Sequence, residues 1–182
     1  MDSTFAQFWL QHGLYGSGPG HWQRGWQRAE PDWGWVVQPE PAVPDLLRWS
    51  AHLRRSLLAG RDPNRPQVLV AHSFGALTAL HCALQEPGLI DALFLVAPAD
   101  PHKFVCQQHL RQAAPCPTLV VASRNDPWLA FPQAQQWAEV WHAQLHDAGA
   151  VGHINAESVP EDWPEGRTLL QTLLQRSALL TS

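Results

Sequence analysis

Val68-Leu69-Val70-Ala71-His72-Ser73-Phe74-Gly75-Ala76-Leu77 is an apolar run that passes, through one serine, into a segment of helical spacing. Unbroken apolar runs of this kind belong to central parallel strands buried on both faces. Strand, small residue, serine, small residue, helix is the order G-x-S-x-G, with Ala71 in place of the first glycine. Presenting a serine oxygen at such a corner demands a sharp turn. The neighbouring backbones then approach closely, and the flanking residues must be small. The corner also sets Ser73 at a helix N-terminus, where the N–H of Phe74 can receive charge developing on a substrate oxygen. A serine that only caps the helix produces the same local pattern. The nucleophile reading therefore depends on partners elsewhere in the chain.

Outward from this corner, short apolar runs alternate with segments of helical periodicity, the mark of a parallel sheet flanked by helices. Strands are expected near Phe8–His12, Trp35–Gln38, Gln67–Ala71, Asp91–Val96, Thr118–Ala122 and Gln144–His146. Helical spacing covers Asp45–Ala59, Phe74–Leu84, Pro132–His142 and a closing Arg167–Leu180, with Gly166 just before it. The 182 residues fit one domain, 1–182, a doubly wound α/β/α layering around about six mainly parallel strands. In such sheets the chemistry sits beyond the carboxyl ends of the strands.

Hydrolases with a serine at this corner supply their acid and then their histidine later in the chain. The run Leu119–Ala122 ends in Ser123-Arg124-Asn125-Asp126-Pro127-Trp128, which puts Asp126 just past a strand end. Asp100, after the strand ending at Val96, is the competing acid. The histidine belongs in a loop after the last strand, where Gly152-His153-Ile154-Asn155 follows Gln144–His146. The expected roles are Ser73 as nucleophile, His153 as general base and Asp126 as the carboxylate orienting it. His142 and His146 read as a helix-end and a strand residue, and His72, His81, His102 and His109 as structural or exposed.

A second oxyanion donor is expected from the loop after the first strand, Gln11-His12-Gly13-Leu14-Tyr15-Gly16-Ser17-Gly18-Pro19-Gly20-His21-Trp22-Gln23, and Leu14 is the residue chosen. The glycines there lack the Gly-Lys-Ser/Thr ending of a phosphate loop. Trp22, Trp128 and Trp163 lie near the relevant loops and are candidate substrate-lining residues, although packing is the commoner use of tryptophan.

The chain resembles the small α/β serine hydrolases that include retinoblastoma-binding protein nine and its bacterial relatives. Five segments carry the resemblance, in order and across nearly the whole chain: Gly16–Gln23, Val70–Gly75, Val121–Pro127, Gly152–Asn155 and Trp163-Pro164-Glu165-Gly166. The resemblance implies a minimal α/β-hydrolase fold without a lid domain, with Ser73, Asp126 and His153 at the positions of the family's triad. His12 stands where relatives usually carry proline. Ser158–Trp163 replaces a stretch that is commonly glycine-rich.

The remaining composition excludes more than it assigns. Net charge is −4 and the 12 Lys and Arg residues are scattered, so no nucleic-acid footprint is expected. Apolar runs are too short to span a bilayer. Met1–Thr4 carries no positive leader, and three irregularly spaced cysteines (Cys82, Cys106, Cys116) fit a reducing compartment, hence a cytoplasmic expectation. Neither His-Glu-x-x-His nor Cys-x-x-Cys occurs among the ten histidines and three cysteines, so no metal or other cofactor is expected. The expected substrate is a small carboxylic ester, with thioesters and amides as neighbours. The rival is a protein-interaction module that has kept the fold, although no residue pattern indicates a protein partner.

Overall fold

The computed structural model describes residues 5–177; the leader reading on Met1–Thr4 and the end of the closing helix lie outside the described residues. Six strands form one sheet: β1 (Gln7–Gln11), β2 (Gly34–Val36), β3 (Gln67–His72), β4 (Ala92–Val96), β5 (Thr118–Ala122) and β6 (Gln144–Asp147). Their spatial order is β2-β1-β3-β4-β5-β6, and every neighbouring pair is parallel. Five helices connect and cover them: α1 (Trp22–Ala29), α2 (Leu46–Ala59), α3 (Phe74–Gln85), α4 (Phe131–Val140) and α5 (Pro164–Arg176). The three-layer α/β-hydrolase architecture expected from the elbow outward is therefore the one observed.

The strand period of two sorts the core into two faces. Leu69, Ala71, Leu93, Leu95, Val120 and Ala122 face α2, α3 and α4. Val68, Val70, Ala92, Phe94, Val96, Leu119 and Val121 face α1 and α5. All residues of β3, β4 and β5 are buried, which is why these strands read as continuous apolar runs. The direction of winding reverses between β1 and β3, and a crevice at that switch point is where ligands bind in open α/β sheets.

Most boundaries lie within one or two residues of expectation, and three differences have a visible cause. β2 covers Gly34–Val36, not Trp35–Gln38: Gly34 takes the Trp9 ring where an added Cβ would meet it at 2.3 Å, and the Gln38 N–H is given to His12 Nε2 at 3.2 Å instead of a strand. The closing helix starts at Pro164, a favourable first-turn position for proline, and takes in Gly166. Gly166 is a glycine because the Trp163 ring lies against it, 2.2 Å from where a Cβ would stand. Helix α1 is unexpected: it begins at Trp22, inside the stretch read as loop as far as Gln23, and runs on to Ala29. Its buried face is only Trp22, Gln23 and Trp26, and the mid-helix Gly25 lowers its propensity.

Candidate active site

Ser73 joins β3 to α3 with φ 57° and ψ −126°, a conformation that a residue with a Cβ adopts only under constraint. The constraint is visible on both sides. Its N–H donates to the Val96 carbonyl at 3.0 Å, and its own carbonyl accepts from Ala76 N–H at 3.0 Å. Small residues flank it for a steric reason. A Cβ on Gly75 would lie 2.3 Å from the His12 carbonyl oxygen, and one on Gly13 would lie 2.8 Å from the Ser73 Cβ. The end of β1 and the start of α3 thus interlock around the serine. The Ser73 side chain makes no capping bond to its own helix. Its Oγ lies 2.9 Å from His153 Nε2 instead.

His153 stands on the loop after β6. Its Nδ1 donates to both Asp126 oxygens, at 3.0 and 2.9 Å, so Nε2 is left to accept from the serine hydroxyl. The Asp126 side chain is 3% exposed and also accepts the Trp128 N–H at 2.8 Å. The acid-bearing and histidine-bearing loops are laced together. Ser123 Oγ accepts Val151 N–H at 3.0 Å, and Asn125 Oδ1 accepts Gly152 N–H at 2.7 Å. Asp100 is buried apart from this chain of bonds, where its Oδ1 accepts the His102 N–H at 2.9 Å. Of the two acids weighed from sequence, the structure brings only Asp126 to the histidine.

Leu14 lines the same cleft as Ser73, and Phe74 follows Ser73 in the chain. Phe74 is the first residue of α3, so no carbonyl of its own helix faces its N–H. The Gly13 carbonyl accepts from His12 Nδ1–H at 2.7 Å and Gly16 N–H at 3.2 Å. The Gly13–Leu14 peptide is trans, so the Leu14 N–H points away from those two donors. No acceptor for it is found among the described residues. His12 Nε2 accepts the Gln38 N–H at 3.2 Å, so both ring nitrogens are used and the ring is neutral. Burial, before Arg24, lowers its pKa. This histidine ties down the loop by hydrogen bonds.

The Gly-His-Trp-Gln stretch is a second brace. His21 caps α1, its Nδ1 accepting the Gln23 N–H at 3.2 Å, and burial pushes its pKa down to about 4, helped by His153 and Arg24. Gln23 is fully buried; its amide donates to the Gln11 carbonyl at 3.1 Å and its oxygen accepts the Ser17 hydroxyl at 2.7 Å.

A cleft of about 330 Å³ opens over Ser73 and His153, walled by Leu14, Tyr15, Pro19, Phe104 and Trp128. Trp128 stands at its rim, 47% exposed. Trp22 and Trp163 do not line it, which corrects the sequence expectation. Both are buried in a cluster with Trp26 and Phe94, the Trp22 and Trp163 rings 5.0 Å apart. The large apolar surface of an indole favours such burial. Trp22 still bears on the site, because its Nε1–H donates to the Ile154 carbonyl at 2.9 Å. Tyr15 and Phe104, which do line the cleft, sit in segments without periodicity and gave no signal in sequence. A separate cleft of about 220 Å³, between Gln38–Asp45 and α2, contains none of these residues. Among the described residues, no three His, Cys, Asp or Glu side chains are grouped as a metal site. No helix of the described residues is long and apolar enough to cross a membrane.

Known structures share this architecture. A protein of Pectobacterium atrosepticum described as a YdeN-like hydrolase is 38% identical, with a TM-score of 0.90 over 96% of this chain and 94% of its own. The YdeN gene product of B. subtilis is 19% identical, with a TM-score of 0.72 over 93% and 99%. Est1E from Butyrivibrio proteoclasticus is 13% identical, with a TM-score of 0.71 over 96% and 89%. The last two are similar in fold alone. No curated protein matches the chain. The model of the serine hydrolase family matches residues 8–172. With that match over nearly the whole chain, and a hydrolase relative at 38% identity, the protein belongs to the serine hydrolase family.

Proposed function

We propose that this hydrolase cleaves a small carboxylic ester, with thioesters and amides as chemical neighbours, through Ser73, His153 and Asp126. The observation that carries the reading is the unbroken chain of bonds from Asp126 through His153 to a serine that does not cap its helix. Ser73 Oγ attacks the acyl carbon as its proton passes to His153 Nε2. The carbonyl electron pair moves onto oxygen, which the N–H groups of Phe74 and Leu14 receive. Collapse of that intermediate expels the alkoxide, which takes the proton from His153, and an acyl group remains on Ser73. Water then gives a proton to His153 and adds to the acyl carbon. The second collapse frees the acid and returns the proton to Ser73. Asp126 holds the tautomer throughout and stabilises the transient imidazolium. This chemistry needs no cofactor.

The apolar walls of the cleft favour an uncharged acyl or alcohol group lying against Trp128. Three free thiols suit a reducing compartment, so we place the protein in the cytoplasm, acting as one domain. The test is labelling by a fluorophosphonate probe. The wild-type protein should label and Ser73→Ala should not, with turnover unchanged by chelator. Labelling that survives Ser73→Ala would remove the nucleophile assignment. A wild-type protein that neither labels nor turns over would favour an interaction module.

A further inference from the structure

The residue just before Ser73 has a bond that the hydrolytic reaction leaves unassigned. His72 ends β3, and its Nε2 lies 2.9 Å from the main-chain oxygen of His153. A carbonyl oxygen only accepts, so Nε2 carries the hydrogen and the ring is the Nε2–H tautomer. The next carbonyl along the loop, that of Ile154, accepts the Trp22 Nε1–H at 2.9 Å. Two successive carbonyls of the base-bearing loop are thus each gripped by a buried ring N–H. The grip has strain to contain. Ile154 sits at φ 46° and Gly152 at φ 58°, on either side of His153. The left-handed region is adverse for a β-branched residue and persists only where its surroundings over-determine it.

The other ties to this loop lead elsewhere. Those from Ser123 and Asn125 reach Val151 and Gly152 and join the loop to the turn that bears Asp126. Only the His72 bond links the backbone of His153 to the chain neighbour of Ser73 among the bonds of the described residues. Nucleophile and base are 80 residues apart in sequence, and their 2.9 Å contact depends on how two separate segments are registered.

We propose that His72 is a positioning residue, whose Nε2–H bond to the His153 carbonyl registers the base against the nucleophile. The inference rests on the reading of Ser73 and His153 given above. A neutral ring suits the task. Burial holds His72 well below the ordinary imidazole range, with His21 and His153 adding to the shift. The His21 and His153 rings each lie 4.8 Å from it, so a second cation there would oppose the imidazolium that forms on His153.

The test compares His72→Phe, which keeps a ring without the donor, with His72→Gln, whose amide N–H reaches a similar point. Steady-state turnover of an activated ester, fluorophosphonate labelling rate and thermal unfolding are measured on each. His72→Phe should lower kcat and labelling roughly 10- to 100-fold while KM moves less than about threefold, and His72→Gln should restore most of the loss. A Phe variant as fast as wild type, or Phe and Gln variants equally slow, overturns the proposal. Nitrogen NMR of the wild-type protein supplies a check that needs no variant to fold. His72 should be the neutral Nε2–H tautomer at about pH 7.5, and an Nδ1–H tautomer there overturns it. A wild-type protein that labels while His72→Phe labels equally fast defeats this inference alone; one that never labels defeats the hydrolase chemistry beneath it.

Discussion

Gly13 and Gly75 show how little room surrounds Ser73. A Cβ on Gly13 would approach the Ser73 Cβ to 2.8 Å, and neither atom belongs to a flexible side chain. Gly13→Ala should therefore push the Leu14 peptide off the serine and lower kcat about 100-fold, with a smaller change in thermal stability. Steady-state kinetics beside a melting curve separate the two effects. The acids make a second contrast. Asp126→Asn cannot hold the Nδ1–H tautomer in the same way and should cost about 10⁴-fold in kcat. Asp100→Asn should cost less than about tenfold, since Asp100 bonds a turn N–H and not the histidine. The opposite ranking would transfer the orienting role to Asp100. The grouping of Ser73, Asp126 and His153 was legible because each lies past the end of a strand, two of these strands buried throughout, and chain order restricts the choice. His72 was not, because its role depends on which carbonyl its ring meets.

Secondary-structure elements divide along the same line. β3, β4 and β5 are buried on both faces and announce themselves as apolar runs. Helix α1 does not, since it carries Gly25 and buries only three residues. Its packing explains both features. A Cβ on Gly25 would stand 2.2 Å from the Glu161 carbonyl oxygen, so this helix lies directly on the segment before α5. Gly25→Ala should destabilise the protein by about 1–3 kcal/mol through overpacking, although alanine is the better helix former. Tryptophans behave likewise. Trp26→Ala, in the core, should cost about 3–5 kcal/mol in urea unfolding. Trp128→Ala, at the cleft rim, should cost under about 1 kcal/mol yet raise KM for apolar esters. Equal losses of stability would contradict the division between core and rim.

The protein as a whole buries several imidazoles in the neutral state. Desolvation lowers the pKa of His12, His21, His72 and His81, that of His21 to about 4. Unfolded histidine titrates near 6.5, so below that pH the unfolded chain binds protons that the folded chain refuses. Stability should therefore be full above about pH 6.5 and fall as pH drops towards 4, by up to about 1.4 kcal/mol per pH unit for each such group. Urea midpoints from pH 8 to about 5 check this, and a midpoint that rises on acidification would refute it. The thiols shift upward for the same reason, burial holding Cys106 at about 11 and Cys82 and Cys116 at about 12. Activity should consequently resist thiol-alkylating reagents near neutral pH.

Local pattern was enough for the parallel sheet, the elbow and the chain order of serine, acid and histidine. Periodicity and strand-end placement are properties of neighbours in sequence, and they survive reading without coordinates. Which tryptophans line the cleft, which acid meets His153, and what secures its loop were settled by folding. Those outcomes turn on distances of a few ångströms between segments as far apart as Trp22 and Ile154, or His72 and His153. Hydrogen bonds and close packing act over just such distances, and sequence spacing does not encode them.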